Sequence, residues 1–100
     1  MKIWLDDERP IPEGYDTYCR TAEQAIQFIK QGVVDEISLD NDLGTGYTEG
    51  KEVARFIERE TLLGNLGRIK LRAHTSNVSA RQDMHAAFRN IYKYWMNKNE

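Results

Sequence analysis

Short apolar segments of strand length alternate with longer segments of helical periodicity, and this alternation most constrains the fold. The predicted strands are 2–5, 17–20, 36–39 and 68–73. A helix is predicted after each strand except the first, which runs into a loop between Pro10 and Gly14. Strands separated by helices pair in parallel through right-handed crossovers. The chain is therefore expected to form an α/β domain whose functional loops lie at the carboxyl ends of the strands.

The predicted helices have recognisable starts. Thr21 and Gln24 have the spacing of a capping box, and Ser79 and Gln82 repeat that spacing before the last helix. Gly32 ends the first helix, and the second is expected over about 48–62. The three helices and four strands leave no room for a repeat or a linker.

The strands alternate between two faces, and the two faces differ in polarity. An apolar face predicts cover by helices, whereas a polar face predicts contact with solvent or a partner. We expect the last helix to cover part of the polar face and to pack near Trp4, leaving Lys70 and Arg72 exposed. The apolar face carries Ile3, Leu5, Ile37, Leu39, Ile69, Leu71 and Ala73, and the polar face carries Lys2, Ser38, Lys70 and Arg72.

Length and charge exclude several classes of protein. One hundred residues predict a single domain, residues 1–100. A net charge of −2 gives no broad positive field, so neither DNA nor a membrane surface is an expected partner. The single cysteine, Cys19, excludes an internal disulfide and is predicted to fill the core. No signal peptide or spanning segment is recognisable, so a cytoplasmic location is expected.

Carboxylates follow two of the predicted strands. Asp6 and Asp7 come after the first strand, and Asp40 and Asp42 come after the third. Their mutual repulsion at one sheet edge would be relieved by a divalent cation, and Mg²⁺ suits carboxylate and phosphate oxygens. Solvated turn carboxylates are the alternative explanation. A calcium loop is rejected because Gly44 and Lys51 occupy positions where that motif needs ligands.

Three segments of the sequence carry a resemblance to a known family. They are Trp4-Leu-Asp-Asp-Glu-Arg-Pro10, Ile37-Ser-Leu-Asp-Asn-Asp-Leu43 and His74-Thr-Ser-Asn77. These strings are similar to the cyclic-phosphate processing receiver domain, a divergent branch of the response-regulator receiver domains. The resemblance implies a minimal flavodoxin-like fold, either a three-layer or a partly open sandwich, with a four-stranded parallel sheet of order 2-1-3-4. The helix after strand 1 and the fifth strand of ordinary receivers are missing here.

The resemblance also implies a metal site and an activity. The side chains of Asp6, Asp7 and Asp40 would hold Mg²⁺ together with the backbone carbonyl of Asp42. Asp40 would be the reactive carboxylate, and the substrate would be a cyclic phosphate or a cyclic nucleotide.

Other polar residues at the same edge suggest further roles. His74 is predicted as the general acid or base because its unperturbed pKa lies near neutrality. Arg9 offers a fork of donors for a phosphate, and Thr75, Ser76 and Asn77 offer uncharged donors at the start of the last helix. A strand-end histidine satisfying a backbone group is the alternative for His74.

Three functions fit these residues. The leading hypothesis is a Mg²⁺-dependent phosphoesterase acting on a cyclic phosphate or cyclic nucleotide, so the expected partner is a phosphate-containing small molecule or nucleotide. The second is a non-catalytic module that binds a phosphorylated ligand or a protein partner. The third is a degenerate phosphoacceptor receiver, which is disfavoured because the chain stops before the phosphate-binding lysine of ordinary receivers. A homodimer through the face that carries Lys70 and Arg72 is a further prediction.

Overall fold

A computed structural model describes residues 1–98 of the chain. The predicted domain also includes residues 99 and 100, which lie outside the described residues. Within 1–98 no helix is long and apolar enough to cross a membrane. The elements are β1 (Lys2–Leu5), β2 (Thr17–Cys19), α1 (Ala22–Lys30), β3 (Glu36–Leu39), α2 (Gly50–Leu62), β4 (Lys70–Ala73) and α3 (Val78–Lys98).

The four strands form one parallel sheet in the order β2-β1-β3-β4, which confirms the predicted fold. Leu5 of β1 lies opposite Cys19 of β2 and Leu39 of β3, and Leu39 lies opposite Ala73 of β4. The strands therefore end at the same level. The chain segments that follow β1, β3 and β4 meet at one edge of the sheet, as the sequence predicted.

The helices cover one face of the sheet, so of the two predicted arrangements the partly open sandwich forms and the three-layer one does not. Ile3, Leu39 and Ile57 are almost wholly buried in a single core, together with Met84 and Ile91 of α3. Burying such aliphatic side chains contributes roughly 1.5–3 kcal/mol each. Because the apolar stripe of α3 completes this core, α3 packs against α2 and the edge strand β4.

The prediction that the last helix packs near Trp4 is wrong. Trp4 packs instead against Tyr15 and His74, with ring centroids 5.3 and 3.7 Å away, respectively. The face of the sheet that carries Trp4 has loop residues against it, and Lys70 and Arg72 are exposed there, as predicted. We call this side the open face of the sheet.

A tyrosine on α3 satisfies backbone groups on the outer edge of β4. The backbone N–H of Leu71 donates to the Tyr92 hydroxyl over 3.2 Å, and that hydroxyl donates to the Leu71 carbonyl over 3.3 Å. An edge strand presents unpaired backbone groups that favour aggregation unless they are blocked. Tyr92 thus makes hydrogen bonds of the kind that a fifth strand makes in a longer sheet.

The structure confirms one predicted helix cap and contradicts the other. Thr21 and Gln24 form the predicted capping box of α1. The second box, at Ser79, is wrong because α3 begins at Val78. Asn77 caps this helix: its Oδ1 accepts the backbone N–H of Ala80 over 3.0 Å. Ser79 is the second residue of the helix, so it lies past the position from which a side chain can cap the helix start.

We expect Asn77→Ala to lower the free energy of unfolding by about 1 kcal/mol, the usual effect of removing a side-chain cap. Urea denaturation followed by circular dichroism measures this change. Ser79→Ala is the matched control, and it should change stability by no more than about 0.5 kcal/mol. Equal losses in the two variants would contradict the assignment of the cap.

Candidate functional site

The pleat of the sheet places three polar side chains at the top of the open face. Backbone hydrogen bonds from Asp6 to Cys19, from Asp40 to Leu5 and from His74 to Leu39 continue the ladder one residue beyond the strands. Since side chains alternate along a strand, Asp6, Asp40 and His74 point to the face of the residues two positions earlier. Those earlier residues are Trp4, Ser38 and Arg72.

Asp6, Asp40 and His74 form a compact group. One ligand atom from each lies within 4.8 Å of the other two. Asp6 is fully buried and Asp40 is 8% exposed. Two carboxylates and an imidazole are therefore gathered where little water reaches them.

Asp6 is the most firmly held member of the group. Its Oδ1 accepts the backbone N–H groups of Glu8 and Arg9 over 2.9 and 3.0 Å. Its Oδ2 faces the Arg9 guanidinium at 3.1 Å and His74 Nε2 at 3.0 Å. Burial alone would raise the pKa of Asp6, but the hydrogen bonds from Glu8, Arg9 and His74 together lower it. Asp6 is a fixed negative charge.

Asp40 is held less completely. Its Oδ1 accepts the backbone N–H of Asn41 over 2.8 Å, while its Oδ2 lies 3.7 Å from Arg9 Nη1. Burial, reinforced by the charge of Asp6, raises the pKa of Asp40. Oδ2 of Asp40 is thus the carboxylate oxygen of the pair that is most available to a ligand.

The imidazole of His74 is engaged at both nitrogens. Nε2 faces Asp6, and Nδ1 lies 2.7 Å from the Ser38 hydroxyl. The ring also stacks on Trp4, with an interplanar angle of 7°. Burial lowers the pKa of His74, against the raising effect of Asp6, so the ring is neutral near pH 7. Because ionised Asp6 can only accept, we assign the proton to Nε2, with Nδ1 accepting from Ser38.

Arg9 brings a positive charge into the group. Its Nη1 lies 3.1 Å from Asp6 Oδ2, 3.7 Å from Asp40 Oδ2 and 3.3 Å from the carbonyl oxygen of His74. Its backbone carbonyl accepts the Tyr18 hydroxyl over 2.5 Å. The loop after β1 is therefore tied to β2, and it carries a guanidinium between the carboxylates of β1 and β3.

The structure places Asp7 and Asp42 beside this group. They are not among the residues within 4.8 Å of one another. Both line a groove of about 470 Å³ that is also bordered by Glu8, Glu49 and the loop 43–47. Their roles as metal ligands stay predictions, and the geometry associates them with this adjoining acidic groove.

The segment 75–77 serves mainly to start α3. The Thr75 side chain is buried, and its hydroxyl accepts the backbone N–H of Asn77 over 3.1 Å. Asn77 caps the helix, while Ser76 is exposed. Phosphate binding by these residues remains a prediction, with Ser76 the most accessible of the three.

Sequence reasoning missed two residues that shape the site. Ser38 was assigned only to the polar face, although alternation along β3 places it directly below Asp40. Asn41 is fully buried, and its Oδ1 accepts the backbone N–H of Lys51 while its carbonyl accepts that of Gly50. Asn41 therefore caps α2 from outside the helix. Period-two alternation is the signal that could have identified Ser38, whereas nothing in the sequence indicates the partner of Asn41.

The Asp6, Asp40 and His74 group could hold a divalent metal ion. Two carboxylates fit Mg²⁺, which usually takes one or two of them and completes its shell with water and phosphate oxygens. Adding the imidazole extends the fit to ions such as Mn²⁺ that accept nitrogen as well as oxygen. The chemistry of the donor set is consistent with a metal site at this edge.

Comparison with known proteins identifies the family to which the chain belongs. No curated protein and no solved structure matches the chain. The family model described as the cyclic-phosphate processing receiver domain matches residues 1–90. This range includes all four strands and Asp6, Asp40 and His74. The chain therefore belongs to the family of cyclic-phosphate processing receiver domains.

Proposed function

We propose that this domain is a Mg²⁺-dependent phosphoesterase that opens the ring of a cyclic phosphate on a nucleotide. The observation that carries the proposal is the convergence of Asp6, Asp40 and His74 at the carboxyl edge of the sheet. Membership of a family associated with cyclic-phosphate processing supports the substrate class. The edge is where ligands bind in open α/β sheets.

The two carboxylates have different tasks in this proposal. Asp6 supplies a permanent negative charge, because its hydrogen bonds hold it ionised. Asp40 offers Oδ2 as a ligand atom that makes no close hydrogen bond among the described residues. Together they would hold the cation, and Asp7 and Asp42 would attract it from the adjoining groove. A bound Mg²⁺ would polarise a phosphoryl oxygen.

His74 moves the proton. In ring opening, the oxygen of water forms a bond to phosphorus, the bond from phosphorus to one ring oxygen breaks, and a proton passes from water to the leaving oxygen. The Ser38 hydroxyl both donates and accepts, so it can pair with either tautomer of His74. In the tautomer that carries the proton on Nδ1, Nε2 is free to take a proton from water and then give it to the leaving oxygen.

Turnover assays with defined variants test the proposal. We expect the domain to hydrolyse 2′,3′-cyclic or 3′,5′-cyclic nucleotides in the presence of Mg²⁺ or Mn²⁺. Asp40→Asn and His74→Gln should each lower kcat about 100-fold or more. Asp83→Asn and His85→Gln make the same chemical changes on the exposed surface of α3 and should leave kcat unchanged.

Two other outcomes would replace this function with one of the alternatives. Tight metal and cyclic-nucleotide binding without turnover of any substrate would establish a binding module. Acetyl phosphate labelling that is lost in Asp40→Asn would establish a phosphoacceptor.

A further inference from the structure

We infer that Arg9 is a built-in counter-cation: its guanidinium occupies the cation position between Asp6 and Asp40, leaves when a metal binds, and is then free to hold the substrate phosphate. The inference rests on the proposed function for its second half. The first half, competition between Arg9 and a metal, depends only on the positions of Asp6, Asp40 and Arg9.

The position of the guanidinium motivates the inference. A single nitrogen, Nη1, approaches one oxygen from each of three chain segments, at 3.1 Å (Asp6), 3.7 Å (Asp40) and 3.3 Å (the His74 carbonyl). Two buried carboxylates this close would otherwise repel each other. Arg9 therefore offsets one of the two negative charges in the absence of a metal.

A metal ion and Arg9 cannot share this position. A hard divalent ion would bind the Oδ2 atoms at about 2.0–2.1 Å, in the space that Nη1 now approaches. The positive guanidinium would also repel a doubly charged ion at such short range. Metal binding must therefore displace the Arg9 side chain.

Arg9 is able to leave without unfolding the loop. Its side chain is 46% exposed, in contrast to 1% for Asp6. Its backbone stays anchored at both ends of the residue, because the N–H donates to Asp6 Oδ1 and the carbonyl accepts the Tyr18 hydroxyl. The side chain can rotate outward while the backbone keeps its place beside the site.

The released guanidinium would lie next to the phosphate site. Arginine presents a planar fork of donors that matches two oxygens of a phosphate. Metal binding would thus expose a phosphate-binding group, and phosphate binding would in turn keep Arg9 out of the metal position. The two ligands are expected to strengthen each other's binding by the same factor, as thermodynamic linkage requires.

Calorimetric titration of Mg²⁺ and Mn²⁺ tests the competition without any assay of turnover. In the absence of phosphate, Arg9→Gln should bind the metal at least about fivefold more tightly than the parent chain. Arg89→Gln removes the same charge from the exposed surface of α3 and corrects for the change in net charge. Arg9→Lys keeps a positive charge and should bind metal with nearly the parent affinity.

A second titration, with inorganic phosphate present, tests the release of Arg9. Phosphate should tighten metal binding by the parent chain and should give much less gain in Arg9→Gln. In parallel, the side-chain NMR signals of Arg9 in the parent chain should shift when metal is added. This measurement uses the native sequence, so it holds even where Arg9→Gln folds poorly.

The outcomes separate this inference from the proposed function. Equal or weaker metal binding by Arg9→Gln, unchanged Arg9 signals, or no metal binding by any variant would overturn the role of Arg9. Tighter metal binding by Arg9→Gln in a domain that turns over no cyclic phosphate would support the counter-cation and reject the phosphoesterase.

Discussion

Replacing Gly50 with alanine is expected to remove about 4 kcal/mol or more of the free energy of unfolding, a large part of the roughly 5–15 kcal/mol that holds a domain of this size together. A β-carbon at position 50 would lie 1.7 Å from the carbonyl oxygen of Asp40 and 3.1 Å from the Cα of Asn41. Both neighbours are backbone, so neither can rotate away. Relief of this clash would require α2 to move away from Asp40, the residue that follows β3.

The displacement would also break the hydrogen bonds that attach α2 to the site. The backbone N–H groups of Gly50 and Lys51 donate to Asn41, over 2.9 and 3.0 Å. Urea denaturation measures the loss, and Gly67→Ala is the matched control, because nothing lies within 4 Å of a β-carbon at position 67. The control should change stability by no more than about 1 kcal/mol. Similar urea midpoints for Gly50→Ala and Gly67→Ala would show that a β-carbon at position 50 does not clash with the Asp40 backbone.

Asp6→Asn and Asp40→Asn are expected to change stability in opposite directions. Asp6 accepts four hydrogen bonds, from Glu8, twice from Arg9 and from His74. An asparagine would turn its amide hydrogens toward the donors on Arg9 and His74. We expect a loss of about 2–4 kcal/mol for this variant.

Ionised Asp40, unlike ionised Asp6, destabilises the domain, because burial and the charge of Asp6 disfavour its ionised form and raise its pKa. Removing that charge should stabilise the metal-free domain by about 0.5–1 kcal/mol, although the same change is expected to lower kcat about 100-fold or more. Thermal unfolding of both variants without divalent ions measures the two effects. Destabilisation by Asp40→Asn would contradict the assigned electrostatics.

The pH dependence of stability gives an independent check that ionised Asp6 stabilises the domain and ionised Asp40 destabilises it. The lowered pKa of Asp6 means that its contribution is present above the unfolded pKa and is lost as the pH falls through the folded value. The raised pKa of Asp40 has the reverse effect: stability is gained as the pH falls through the folded value. Asp40→Asn should therefore lose stability more steeply than the parent chain as the pH falls toward the unfolded pKa of 3.8.

Much of the fold could be predicted because its signals are local. The alternation of strands and helices, the capping box at Thr21 and the carboxylates after β1 and β3 are each contained in a few neighbouring residues. One of the two errors is local, and the other concerns contacts between distant residues. The capping box at Ser79 failed because Asn77 offers a competing cap, and α3 turned away from Trp4 because the core on the helical side required its apolar stripe.

The sequence by itself determined which elements form, how the sheet is ordered by analogy with related domains, and which edge carries the acidic residues. Only the tertiary structure decided that Asp6 and Asp40 join His74 while Asp7 and Asp42 turn toward a second groove. It also decided that Arg9 lies between the paired carboxylates and that Ser38 orients the imidazole. The physical reason for Asp6 and Asp7 is that adjacent residues at a strand end point to opposite faces of the sheet. Asp42 lies in the loop after the last ladder hydrogen bond, at Asp40, so the alternation of the strand no longer sets its direction.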